Sequence, residues 1–249
     1  MTGGQPWAEQ PCLCANHYCR NGIYLTPSPA FTMRDMTLLC LPETVLTDEA
    51  CQSLKTRPGA VIVSLDGEVA SEALTTSMER LRHHAVAFTL LAWVTRDNSD
   101  TPQARYRYWR NLGATVIHLL PQVHIHEMAS GVNTQRWGVF LRSVFELWVR
   151  EDVGRVSVQV FDDALAVWRG TGARMATEAL PEECQRCPAL RLCNGDCPKH
   201  RMADGRSALC EGYQDFFTWS APYMRVMRDL LAQHRSPMEL MAMLRQQPI

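Results

Sequence analysis

Ten of the 249 residues are cysteines, and five of these fall in one stretch near the C-terminus, in the order Cys184-x2-Cys187-x5-Cys193-x3-Cys197-x12-Cys210. A Cys-x2-Cys turn sets two thiolates on one metal, or on one edge of a cluster, and ligands from the following loop complete four-coordination. Thiolate sets of this kind take zinc or an iron–sulfur cluster, and spacing alone leaves both open. Five is one more than a single tetrahedral site uses, so one cysteine is surplus or belongs to a second site. A smaller group, Cys12, Cys14 and Cys19, stands near the N-terminus. Cys40 and Cys51 lie in apolar patterns and are expected to be buried thiols.

Other candidates have blander readings. His118, His124 and His126 could ligate a metal, but acidic partners beyond Glu127 are sparse, and a polar loop at a strand end accounts for them. His83-His84 closes a helical stretch, where the helix dipole favours a charged imidazole. Trp137, Trp148 and Trp168 are expected in the core. Lys199-His200-Arg201 could balance thiolate charge.

The elements that must position these residues are legible as an alternation of strands and helices. The apolar run 37–41, the run 60–64, Val86–Val94 and Thr115–Leu120 predict strands. Helices are predicted at 47–54 with Thr47 as cap, around Leu74, Met78 and Leu81, and over 101–112. Strands separated by helices of this length imply a parallel sheet with crossover helices. The spacing of Trp137, Phe140, Leu141, Val144, Phe145 and Trp148 predicts an amphipathic helix. Val156, Val158 and Val160 alternate as in a strand, and 162–168 could add one or two helical turns. A last helical region covers about 211–234, with a kink expected at Pro222.

Composition bounds the class. Apolar residues make up 46% and the formal charge is −1, so no basic field points to nucleic acid. No apolar run approaches the roughly 18 residues of a membrane span, and the polar N-terminal residues lack a secretory pattern. The expectation is a cytoplasmic protein, whose clustered thiols serve metal or catalysis rather than disulfides.

Three segments, Cys184-Gln-Arg-Cys187, Cys193-Asn-Gly-Asp-Cys197-Pro-Lys-His-Arg201 and Leu209-Cys210-Glu-Gly-Tyr213 with Phe216-Phe217, together resemble the SPASM domain of anaerobic sulfatase-maturating enzymes. These are radical S-adenosylmethionine (radical SAM) proteins that oxidise a sulfatase cysteine or serine to formylglycine. Upstream, Trp137-Gly138, the segment 145–154, Leu120-Pro121, Ser64-Leu-Asp-Gly67 and Thr47-Asp48-Glu49 with Cys51 resemble the same family in the same order. The resemblance implies an α/β fold, a partial, truncated (β/α) barrel followed by a small cysteine-rich SPASM domain with C-terminal helices. It divides the chain into an N-terminal segment 1–36, a barrel part 37–170 and an iron–sulfur part 171–249.

By position, the family assigns Cys184, Cys187, Cys193 and Cys210 to one auxiliary 4Fe–4S cluster and Cys197 to a second. The second cluster's other ligands, and the stretch holding the family's proton-accepting aspartate, are absent here, so no catalytic base carries over. The radical SAM pattern Cys-x3-Cys-x2-Cys, whose cluster cleaves S-adenosylmethionine to a 5′-deoxyadenosyl radical, is matched by Cys12 and Cys19. Asn16 stands at the middle position and Cys14 is displaced by two residues. Two readings stay open: an unusual site on Cys12, Cys14 and Cys19, with His17 as a substitute ligand, or a degenerate one. Ser64 matches a cofactor-contact position, and the family's Gly-Gly-Glu-Pro segment is missing. The resemblance thus implies a sulfatase or other peptide as partner and two functional alternatives. One is a maturase; the other is a relative that binds one cluster and a peptide without turnover. A zinc-binding module is the third reading.

Overall fold

The computed structural model describes residues 36–56, 59–65, 69–127, 129–172 and 180–246. Strand β1 (Met36–Cys40) leads through helix α1 (Asp48–Thr56) to β2 (Gly59–Leu65), then α2 (Glu72–His83), β3 (Thr89–Val94), α3 (Pro102–Asn111) and β4 (Val116–Pro121). Helix α4 (Thr134–Glu151), the short β5 (Ser157–Val158) and α5 (Gln159–Trp168) complete this part. The five strands lie in sequence order, each parallel to the next. Unreversed order with a helix in each crossover is the winding of a barrel, here a partial one, rather than of a doubly wound sheet.

Strand periodicity separates two faces. Val61, Val63, Leu90, Ala92, Ile117 and Leu119 point into the main core with Leu74, Met78, Trp109 and Phe140 of the helices. Ile62, Leu91, Trp93 and Leu120 point the other way and form a separate small cluster. Helix starts follow their caps: the Thr47, Ser71 and Asn133 side chains accept from the backbone N–H groups of Ala50, Leu74 and Arg136.

Two expectations shift. β3 begins at Thr89 rather than Val86, because Ala85 takes a left-handed turn (φ 54°) and the Val86 N–H still donates back to the Leu81 carbonyl. The alternation of Val156, Val158 and Val160 yields only two strand residues, since α5 starts at Gln159 and takes Val160 with it.

The C-terminal part holds α6 (Glu182–Gln185), α7 (Leu190–Cys193), α8 (Cys210–Ala232, with Pro222 inside it) and α9 (Glu239–Arg245). No described helix is long and apolar enough to cross a membrane. Helix α8 packs along α4 through an aromatic cluster centred on Phe145, whose ring lies 5.0–5.9 Å from those of Phe161, Phe216, Trp219 and Tyr223. At the other end of the contact, Gly138 of α4 faces Gly212 of α8. A Cβ on Gly212 would lie 2.2 Å from the Thr134 carbonyl oxygen and 2.9 Å from the Gly138 nitrogen. The Gly212 N–H also donates to Thr134 Oγ1 at 2.7 Å. Gly212→Ala must therefore push two backbones apart. We expect a loss of about 3 kcal/mol in urea unfolding, at the upper end of ordinary overpacking.

Candidate metal centre and adjoining cleft

Each cysteine of the C-terminal group is placed by a tight local turn. Cys184 lies within the short α6, and the Cys187 N–H donates to the Cys184 carbonyl at 3.0 Å, closing the Cys-x2-Cys turn. After Cys193 the chain turns through three left-handed residues, Asn194, Gly195 and Asp196 (φ 51°, 74° and 52°). Asn, Gly and Asp are the residue types that tolerate this conformation. The turn brings the Gly195 N–H to Cys193 Sγ at 3.4 Å. A small hairpin follows, with Arg201 bridged to Ser207 and the Ala208 N–H donating to the His200 carbonyl. It delivers Cys210 as the first residue of α8.

Cys184, Cys187, Cys193 and Cys210 are free thiols, partly buried. One turn along α8 from Cys210, the Gln214 amide donates from Nε2 to Cys187 Sγ (3.4 Å) and to Cys210 Sγ (3.6 Å). Both bonds share one nitrogen, so these sulfurs are at most about 7 Å apart. Arg206 donates to Cys210 Sγ at 3.6 Å, and Arg206 and Arg201 both favour a charged Cys184. Burial pushes the Cys193 thiol up to about 12, against the opposing Gly195 N–H, and burial followed by the neighbouring Cys210 raises Cys184. Cys184 and Cys193 are thus protonated near neutral pH, and loading them with metal releases protons. Among the described residues, no three Cys, His, Asp or Glu side chains converge on one point as ligands of a single ion do. Four free thiols, two of them under the Gln214 amide, one under the Gly195 N–H, and with Arg201 and Arg206 beside them, are a donor set that suits an anionic iron–sulfur cluster.

The supporting network is polar and buried. Asp196 accepts from His200 Nδ1 (3.0 Å), Ser207 Oγ (2.6 Å) and Tyr213 OH (3.4 Å). Burial works to raise its pKa, but these donors and the Cys197 N–H outweigh burial and hold the carboxyl below its ordinary value. Burial, then Asp196, drives the Tyr213 hydroxyl far above its own. His200 therefore serves Asp196, while Arg201 and Arg206 are the cations beside the thiols. Cys197 is buried and disulfide-bonded, which departs from the expectation of a cluster ligand and of cysteines without disulfides, so it stands apart from the four free thiols.

A cleft of about 560 Å³, open mouth included, lies between the C-terminal end of β4 and this region. Leu119, Pro121, Trp137, Gln159 and Asp163 line it from the barrel side, and Cys193, Asp196 and Tyr213 from the other. A ligand there would sit beside the Cys193 thiol, at the strand ends where parallel α/β sheets place their sites.

The remaining sequence candidates separate from this site. Cys12, Cys14 and Cys19, with Asn16 and His17, lie outside the described residues. Ser64 sits near the C-terminal end of β2 on the face away from the helices, where Trp93 Nε1 donates to its hydroxyl at 3.4 Å. In register it aligns with Leu91 and, one strand on, with buried His118. His124 and His126 are exposed in the loop after β4. His84 closes α2 and bonds Asp48 at the start of α1 (2.9 Å). Cys40 and Cys51 are fully buried. Sequence reasoning missed Gln214 and Arg206; their i+4 and i−4 spacing from Cys210 is the only trace they leave in the sequence.

No family model matches the chain. The uncharacterized protein YidF of Escherichia coli (strain K12) is 42% identical over 149 residues, 58% of this chain and 85% of that protein. A serine-type anaerobic sulfatase-maturating enzyme of Bacteroides thetaiotaomicron is 26% identical, covering 81% of this chain and 72% of that enzyme. The solved structure of native anSMEcpe with bound AdoMet and the Cp18Cys peptide superposes with a TM-score of 0.65 at 15% identity, over 78% of this chain and 76% of that chain. The fold is therefore that of these structures, shortened.

Asp196→Ala strips the shared acceptor from His200, Ser207 and Tyr213. Unsatisfied buried donors cost about 1–3 kcal/mol, so denaturant unfolding should show a loss of about 3 kcal/mol. Asp196→Asn, which keeps an acceptor oxygen, should lose clearly less.

Proposed function

We propose that this chain is a shortened member of the anaerobic sulfatase-maturating enzyme family, on its likeness to one such enzyme and to the solved fold. It is a radical SAM-type iron–sulfur oxidoreductase that takes a peptide cysteine or serine into the cleft and oxidises it to formylglycine. The observation that carries this reading is the position of Cys193, a member of the four-thiol group that also forms the cleft wall.

Cys184, Cys187, Cys193 and Cys210 would hold a 4Fe–4S cluster, which supplies a one-electron acceptor when bound. The chain's own residues prepare that site. Gln214, Arg206 and the Gly195 N–H donate to ligand sulfurs, which stabilises added negative charge there. Trp137 from the barrel side and Tyr213 from the other meet edge to face at 6.0 Å and give the cleft an aromatic lining. Asp163 and Gln159 offer polar groups on the barrel side, the Gln159 amide donating to Asp163 at 2.6 Å. Ser64, near the end of β2, would by the family resemblance contact S-adenosylmethionine. Cys12, Cys14 and Cys19 would supply the thiolates of the radical-generating cluster.

Asn16, standing where that cluster's middle thiolate belongs, favours a second reading: a relative that binds the auxiliary cluster and a peptide without turnover. One experiment separates them. The chain is reconstituted anaerobically with iron and sulfide, reduced, and given S-adenosylmethionine with a cysteine-containing peptide. The first reading requires 5′-deoxyadenosine and an aldehyde on the peptide. Iron near four per chain without cleavage supports the second reading, and zinc without visible absorption defeats both.

A further inference from the structure

Oxidising the side-chain carbon of a peptide cysteine or serine takes three things from it: a hydrogen atom from the carbon, a proton from the sulfur or oxygen, and an electron. A 5′-deoxyadenosyl radical accounts for the first, and a cluster on the four thiols would account for the third. The proton needs a base in the cleft, and the stretch that carries the family's aspartate is absent from this chain. Among the described residues lining the cleft, Asp163, Cys193, Asp196 and Tyr213 carry titratable groups. Cys193 belongs to the four-thiol group. Asp196 is buried and already accepts from His200, Ser207 and Tyr213, and a carboxylate so well supplied with donors is a poor base. Tyr213 is held protonated by burial and by Asp196.

Asp163 differs from all three. It lies one turn after Gln159 on α5 and shares with Gln159 and Val160 the helix face that lines the cleft. It is half-buried, and the Gln159 amide donates to its Oδ1 at 2.6 Å, which fixes the direction of the carboxylate. The adjacent Asp162 is committed elsewhere: it accepts from Ser157 Oγ on β5 and is not part of the cleft lining. Of the two neighbouring carboxylates, one is tied to the sheet and the other is presented to the cleft. Asp163 also stands past the first turn of α5, where the helix dipole would reward an acid. A peptide residue held in the cleft would therefore lie between the Asp163 carboxylate on the barrel side and the Cys193 thiol on the other.

We propose that Asp163 is the catalytic base of this chain, its carboxylate accepting the thiol or hydroxyl proton of the peptide residue as that residue is oxidised. The balance closes: the hydrogen atom goes to the radical, the proton to Asp163 and the electron to the cluster. Serine then yields the aldehyde directly, and cysteine yields a thioaldehyde that water converts to the aldehyde with release of hydrogen sulfide. The proposal rests on the maturase reading of the cleft, and the test separates the two.

Two measurements are made on the full reconstituted chain under anaerobic conditions. In the first, without reductant, fluorescein-labelled peptides carrying serine or 2-aminobutyrate at the central position are titrated and followed by anisotropy. The two residues have the same shape, and only serine has a proton to offer. A hydrogen bond to a charged acceptor should make the serine peptide bind about tenfold tighter, and this preference should vanish in Asp163→Ala. Alanine suits a helix, and circular dichroism and iron content check that fold and cluster are kept. Should that variant misfold, the isosteric Asp163→Asn decides by the same titration, with a smaller preference expected because a neutral acceptor is weaker. In the second, the chain is reduced and given S-adenosylmethionine with the cysteine or serine peptide. Aldehyde formation should fall about 100-fold or more in Asp163→Asn and recover in part in Asp163→Glu. A parent that forms aldehyde but binds both peptides equally, or an Asp163→Asn variant that keeps the parent's rate, overturns the base and leaves the maturase reading standing. A parent that forms no aldehyde overturns that reading and the base with it.

Discussion

The approach of α4 and α8 at Gly138 and Gly212 is the constraint on which the site depends. Helix α4 belongs to the barrel part, and α8 begins with Cys210, one of the four free thiols. Their backbones meet so closely that Gly212 donates to Thr134 and no side chain fits between. Below this point the Phe145 cluster fills the contact with aromatic area, fixing the rotation of α8. That rotation puts Tyr213 against Trp137 and on Asp196, and turns Gln214 toward two sulfurs. One helix-helix contact thereby couples the sheet's C-terminal end, the cleft wall and the thiol group.

The thiol group is itself organised from two sides. From the loop side, the left-handed turn at 194–196 wraps Cys193 and buries Asp196, which ties the turn to the hairpin through His200 and Ser207. From the helix side, α8 brings Cys210, Gln214 and Tyr213. Buried polar groups are costly unless satisfied, and once satisfied they fix a single arrangement. The Asp196 network does this with side chains contributed by both sides.

Legibility in the sequence followed the range of the interactions. Four strands and their crossover helices could be read because apolar periodicity and caps are local, and the Cys-x2-Cys and Asn-Gly-Asp turns are written in adjacent residues. The family pattern added the grouping of Cys184, Cys187, Cys193 and Cys210; of these, the structure brings Cys187 and Cys210 under one shared donor. What failed was non-local. The end of the sheet at β5 is set by α5 starting early; the glycine pair lies on two helices far apart in sequence; Gln214 and Arg206 reach the sulfurs only once the hairpin and α8 are formed. Trp168 packs against the core as expected but only in part, its outer face covered by arginines from α7 and α8.

The central claim is that four C-terminal thiols hold one iron–sulfur cluster independently of the N-terminal cysteines. Its most direct test is the iron and acid-labile sulfide content of the anaerobically reconstituted Cys12→Ala/Cys14→Ala/Cys19→Ala variant. The account predicts about four of each per chain, with visible charge-transfer absorption. Loss of iron and sulfide from that variant, or stoichiometric zinc in their place, would contradict it.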